Sequence, residues 1–187
     1  MMQGLVKMEI IEHIENYIGE ISYGIEVESK YPISISCFNN KPMDNLNSFV
    51  SLGLNKFNLN YKSNFELLFV CGKNFSDGNI ASLLVWLSEL MIEQKHAILN
   101  GEIIFLPQVI SPETKMNCLL VYTPFYFPND FQVAKTKNGN VVFPLLIPIY
   151  LEEAKLIQEK GIESFENFLL SNHTDNLWDM NRNCFSW

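Results

Sequence analysis

The sequence predicts an α+β fold, one mixed domain with a mostly antiparallel sheet and helices packed against it. Three observations carry this expectation. Short extended runs alternate with tight-turn signals, the strongest being Lys137-Asn-Gly-Asn140, where Asn-Gly tolerates the positive φ angles of a hairpin. Helical periodicity comes in separate blocks, with no βαβαβ rhythm long enough for a doubly wound nucleotide fold. Residues 65–71 are apolar on both faces apart from Glu66, the mark of a central strand covered on both sides.

The elements follow in order. Ile10, Ile11, Ile14, Tyr17, Ile18 and Ile21 recur at helical spacing while Glu9, Glu12 and Glu15 point elsewhere, giving an amphipathic opening helix. Ile33, Ile35 and Cys37 alternate with Ser34 and Ser36, the period of a half-buried strand. Residues 39–47 read as a loop and residues 49–54 as a second strand. Asp77 is placed to cap the next helix, whose buried stripe is Ile80, Leu83, Leu84, Leu87, Leu90 and Met91, with Trp86 near its edge. Asn100-Gly101 marks the exit, and residues 102–106 and 117–123 supply further strands. After the Asn-Gly turn, Pro144 and Pro148 lack ladder donors, so the last strand is interrupted or lies at an edge. Glu152 and Glu153 then open a helix whose N-terminus favours negative charge, and a second short helical segment follows Gly161.

The chain has 187 residues, 48% of them apolar, and no linker-like tract, which suits one folding unit over residues 1–187. Its 21 acidic and 13 basic residues give a net charge of −8 without any basic run. Such a surface repels polyphosphate and excludes nucleic acid as the expected ligand. It suits a basic protein surface, or solubility alone. Cys37, Cys71, Cys118 and Cys184 are widely spaced, the first three in apolar strand-like runs where cysteine acts as a small hydrophobe. The N-terminus lacks a signal-peptide pattern and no apolar stretch reaches membrane-spanning length, so the expected compartment is the reducing cytoplasm, where the Asn74-Phe-Ser76 and Asn172-His-Thr174 sequons are silent.

Chemistry-bearing motifs are absent from the sequence. His13, His96 and His173 stand apart from other ligands, and there is no His-Glu-x-x-His, Cys-x-x-Cys or Gly-x-Ser-x-Gly. Cys71-Gly-Lys73 lacks the upstream glycines of a phosphate loop, and Asp175, Asp179 and Asn181 lack the glycine and glutamate of a calcium loop. Residue order leaves open a thiol site built from Cys71 or Cys118 and a distant histidine. No catalytic residue, metal or cofactor is assigned. Arg182, the sole arginine, either pairs with Asp179 or reaches a distant carboxylate and ties the tail to the domain.

The aromatic cluster between Tyr122 and Phe131 carries two readings. In one, its rings close the core beneath an irregular Pro124/Pro128 connection. In the other, Phe125, Tyr126, Phe127 and Phe131 form a partner-binding patch with Asp130 on an acidic rim, because rigid aromatics dominate interface hot spots. Trp178, Phe185 and Trp187 pose the same choice.

Three segments carry a family resemblance: Phe49-Val-Ser-Leu-Gly-Leu54 followed by Glu66-Leu-Leu; residues 84–101; and Leu145-Leu-Ile-Pro-Ile-Tyr-Leu-Glu-Glu153 through Asp179-Met-Asn-Arg182. In order and spacing the chain resembles a bacterial member of the suppressor-of-fused-like family. The resemblance implies a mixed α/β domain that binds rather than catalyses. Several bacterial members are encoded beside polymorphic toxins as immunity proteins, so the expected partner is a protein, a cognate toxin with a basic surface. The alternatives are a non-catalytic regulatory module of the same family and an unrecognised enzyme.

Overall fold

In a computed structural model, which describes residues 2–172 and 176–187 apart from the side chains of residues 2–8, the isoleucine stripe builds α1 (Met2–Ile18). Ile10, Ile14 and Ile18 are buried at i, i+4 spacing. The helix lies on a seven-stranded sheet. Its strands are β1 (Tyr23–Ile25), β2 (Ser34–Asn39), β3 (Leu46–Leu52), β5 (Leu68–Gly72), β6 (Ile103–Phe105), β7 (Cys118–Tyr122) and β10 (Leu145–Ile149), in the order β1-β2-β3-β5-β10-β7-β6. All its pairings are antiparallel except β10 with β5. A smaller sheet joins β4 (Asn64–Phe65), β9 (Gly139–Val142) and β8 (Val133–Thr136).

The pleat sends alternate residues to two cores. Ile35, Cys37, Phe49, Phe69, Leu119, Val121 and Leu146 face α2 (Asp77–Gln94), meeting Ile80, Leu84, Leu87 and Met91. Phe38, Val50, Leu68, Val70, Leu120, Leu145 and Ile147 face α1, α3 (Leu151–Lys160) and α4 (Ile162–Ser171). The architecture is the expected α+β fold, with helices on both faces of a mostly antiparallel sheet. The second helical layer corrects the half-buried reading of β2: with α1 over its serine face, Ser36 is buried too.

Other boundaries move for physical reasons. β3 starts at Leu46, inside the segment read as loop, because Lys41 N–H bonds to Leu46 O at 3.0 Å and closes a tight turn before it. Ser76, not Asp77, precedes α2, and Asp77 instead accepts a hydrogen bond from the Tyr23 hydroxyl. The hairpin pairs Thr136 with Gly139, leaving Lys137 and Asn138 as its loop and Gly139 at φ 109°. The chain breaks at Phe143-Pro144 as expected, but β10 is interior rather than at an edge. Its β5 pairing spans only Leu145 and Leu146, so Pro148 misses no donor there, and its carbonyl accepts from Arg182 Nη2 at 3.4 Å.

The central apolar run divides at Glu66 and Leu67, which carry the chain from the small sheet to the large one. Glu66 is fully buried and faces no cation among the described residues. Its Oε1 accepts from Gly53 N–H (2.7 Å), Asn55 N–H (3.2 Å) and the Asn55 amide, and its Oε2 accepts from Ser51 Oγ (2.6 Å). The carboxyl thus pins the turn after β3, where Gly53 has φ 122° and a Cβ would meet Pro32 O at 2.4 Å. Burial pushes the Glu66 carboxyl above its ordinary value, opposed by these hydrogen bonds. Folding therefore favours the protonated form. Glu66 contributes stability that is present at low pH and lost as pH rises from the ordinary carboxylate value, about 4.3, through its higher folded value. Glu66→Gln, which keeps the Oε1 acceptor, is expected to flatten that part of the pH–stability curve, read by urea titration at several pH values. An unchanged slope would remove Glu66 as its source.

Candidate partner-binding surface

Strand β7 ends at Tyr122, and Pro124 and Pro128 turn the chain across the end of the sheet. Phe127 N–H bonds to Pro124 O at 3.1 Å and Phe131 N–H to Pro128 O at 2.9 Å, so the loop is two successive tight turns. Phe127 and Phe131 point inward, with Phe131 at 0% exposure. Phe131 lies 4.9 Å from the Phe127 ring, 5.0 Å from Phe143 and 5.8 Å from His13. His13 Nε2 sits 3.0 Å from the Phe131 carbonyl oxygen, which only accepts, so this nitrogen carries the proton. These two phenylalanines close the core between α1 and the small sheet, which corrects their inclusion in a partner-facing patch.

Phe125 is left outside. It is 45% exposed and packs 4.3 Å from the half-buried Tyr126 and 6.0 Å from Tyr122. Asp130 is exposed at the far end of the loop. Phe125 forms one wall of a groove of about 290 Å³ whose other walls are Ile147 of β10, Leu177, and Phe165, Glu166, Leu169 and Leu170 of α4. Leu170 is 74% exposed. Among the described residues, the ionisable side chains on the walls are Glu166 and Tyr122, whose hydroxyl donates to Glu166 Oε1. Burial and that carboxylate push the Tyr122 phenol up to about 12, so it remains a donor at neutral pH. The groove thus offers apolar walls with one oriented carboxylate.

Leu170 is the residue missed in the sequence. Phe165, Phe168 and Leu169 form the inward stripe of α4, and Leu170 falls off it, a signal that a helical projection of residues 162–171 contains. The tail aromatics Trp178, Phe185 and Trp187 are half-buried. Trp187 lies 5.3 Å from Phe165 and donates its Nε1 proton to Ser164 Oγ at 3.0 Å, and Phe185 lies 5.4 Å from Phe168.

The remaining chemical candidates resolve into structural roles. Arg182 passes over Asp179 and makes a two-pronged contact with Glu153, Nη1 to Oε1 at 2.5 Å and Nη2 to Oε2 at 2.8 Å. The Asp179 carboxylate accepts from Asn181 N–H at 2.9 Å as a local turn. Cys71 is buried, and desolvation pushes its thiol well up, away from the reactive thiolate. His96 lies 3.9 Å from Glu102 at the surface. His173 and Asp175 lie outside the described residues. Among the described residues no three His, Cys, Asp or Glu side chains converge as metal ligands, and no helix is long and apolar enough to cross a membrane.

Comparison with known proteins gives the same picture of the fold. The chain is 23% identical over 156 residues to Immunity protein YqcF of Bacillus subtilis (strain 168), covering 80% of each. It superposes on the crystal structure of a putative suppressor of fused homolog from Neisseria gonorrhoeae FA 1090 with a TM-score of 0.78 at 15% identity, covering 98% of both chains. It matches a chain of the Sufu–Fu complex with a TM-score of 0.72 at 15% identity, covering 96% of this chain and 90% of that one. The profile of the suppressor of fused protein (SUFU) family matches residues 29–183, nearly all of the sheet and the Arg182 clasp, and the chain belongs to that family.

Proposed function

We propose that the protein is an immunity protein that binds a toxin domain and neutralises it by protein–protein contact rather than by catalysis. The observation that carries this reading is the likeness to an immunity protein over four fifths of both chains. The surface supports it. Phe125 and Leu170 present apolar area across a groove, Glu166 supplies a carboxylate within it, and the net charge of −8 favours approach to a basic partner. Of the perturbed titratable groups, Glu66 and Cys71 are buried in the core, and Tyr122 lies in the groove with its hydroxyl held by Glu166.

The test is to identify the neighbouring gene and titrate the protein calorimetrically with any toxin domain that gene encodes. Wild type is expected to form a one-to-one complex, and Phe125→Ala to weaken it by about 1–4 kcal/mol as an interface anchor. Added salt is expected to slow association more than it speeds dissociation. Binding by wild type with no loss in Phe125→Ala or Leu170→Ala would move the interface elsewhere, and no binding by folded wild type would remove the immunity reading.

A further inference from the structure

Among the described residues, Glu166 is a carboxylate without a cation. It stands half-buried in the wall of the Phe125 groove, and no Lys, Arg or His side chain pairs with it there. The Tyr122 hydroxyl donates to its Oε1, and no described residue donates to its Oε2. Glu163, exposed one turn earlier on α4, adds a second negative charge beside it. An apolar side chain filling the groove would cover this carboxylate without compensating it, which costs free energy. A cation would compensate it.

The rings of the groove narrow the choice of cation. Phe125 and Tyr122 stand as an edge-to-face pair 6.0 Å apart on its wall. Rings beside a carboxylate suit a guanidinium, which stacks on a ring face and meets a carboxylate through a planar fork of donors, whereas an ammonium is a strongly hydrated point charge. The chain already holds one arginine in this manner. Arg182 meets both oxygens of Glu153 while its guanidinium carbon lies 4.0 Å from the Phe185 ring centre and 5.6 Å from that of Tyr150. Glu166, Phe125 and Tyr122 repeat that set of a carboxylate, a phenylalanine and a tyrosine with no arginine in it. Arg182 is the sole arginine of the 187 residues and is committed to Glu153, so none of them can fill the groove in this way.

We propose that the groove receives an arginine side chain of a protein partner, its apolar stem lying along Phe125 and Leu170 and its guanidinium against Glu166. A carboxylate oxygen accepts from more than one donor, so the Tyr122 hydroxyl keeps its place and orients Glu166 for the incoming fork. That the arginine belongs to a toxin domain rests on the function proposed above; that the groove selects arginine rests on Glu166 and the two rings.

Methyl nuclear magnetic resonance of the full chain in low-salt buffer, titrated with Nα-acetylarginine amide and with its citrulline and lysine analogues, tests it. The arginine probe is expected to shift the methyl signals of Ile147, Leu169 and Leu170 saturably in the millimolar range. The citrulline analogue, a neutral urea of the same shape, is expected to bind roughly three- to thirtyfold more weakly, and the lysine analogue to fall between the two. Glu166→Gln, which keeps an acceptor for the Tyr122 hydroxyl, is expected to bring the arginine probe down to the citrulline level. Glu26→Gln, which removes the same charge beside β1 at the far end of the sheet order, is expected to leave arginine binding intact. No saturable shift, an arginine probe no tighter than the citrulline or lysine analogue, or a Glu166→Gln titration matching wild type would overturn the proposal. No toxin enters this titration. Arginine capture by a chain that fails to protect cells would therefore remove the immunity reading alone, and protection without arginine capture would remove the arginine site alone.

Discussion

Arg182→Ala is expected to destabilise the fold by about 3–5 kcal/mol, the cost of leaving one member of a buried ion pair without its partner. The Arg182 and Glu153 side chains are 1% and 0% exposed, so water cannot replace the lost contact. Glu153 is also the hub of the junction. It accepts from Tyr150 N–H at 3.0 Å, holding the start of α3, and from Phe185 N–H at 2.7 Å, holding the tail. Arg182 in turn stacks 4.0 Å from the Phe185 ring, and its carbonyl accepts from the Tyr150 hydroxyl at 2.5 Å. Without the guanidinium, a buried carboxylate keeps two neutral donors and no counter-charge. Arg182→Lys is expected to recover only part of the loss, because an ammonium lacks the planar fork that meets both oxygens. Urea unfolding of Arg182→Ala, Glu153→Gln and the double variant gives the coupling directly. The double is expected to cost less than the sum of the singles, and additivity would show that the pair is not coupled.

Phe131→Ala is expected to cost about 3–5 kcal/mol, because a fully buried ring leaves a cavity that its rigid neighbours cannot fill. Three stacked rings, Phe131, Phe143 and His13, bridge α1 to the small sheet, and Phe127 leans on them from the loop. The same substitution six residues earlier is the control. Phe125→Ala removes a half-exposed ring and is expected to stay within about 0.5 kcal/mol of wild type. Equal stability losses in thermal or urea unfolding would contradict this division of the aromatic loop into a buried half and a presented half.

That division shows where sequence reasoning ends. Tyr122 to Phe131 announces an aromatic cluster, yet period alone cannot assign each ring to core or surface in a segment of turns, since no fixed pleat or helical pitch relates neighbours. Where a regular element exists, the pattern suffices. The Ile10, Ile14 and Ile18 stripe lies where periodicity places it, residues 65–71 are buried on both faces although they split between two strands, and the α2 stripe packs on the sheet with Leu84, Leu87 and Met91 fully buried and Leu83 and Leu90 partly so. Half-buried β2 fails because α1 covers its other face, a long-range contact invisible in local alternation. Arg182 was legible as a tie to some distant carboxylate but not to Glu153, whose helix-start position equally explains its charge. The groove depends on four segments, β7 with its loop, β10, α4 and the C-terminal segment at Leu177, so only Phe125 and its neighbours could be named in advance. Leu170 was within reach of a helical projection of α4.

The central claim is neutralisation of a toxin by contact, and cell growth measures it most directly. Cells expressing a toxin domain found to be encoded in a neighbouring gene are expected to stop growing, to recover when the wild-type chain is co-expressed, and to fail again with Leu170→Glu, which places a charge on the exposed wall of the groove while sparing the core. Arrested growth despite soluble, folded wild-type protein would contradict the account, as would full protection by Leu170→Glu for the groove that is proposed to provide it.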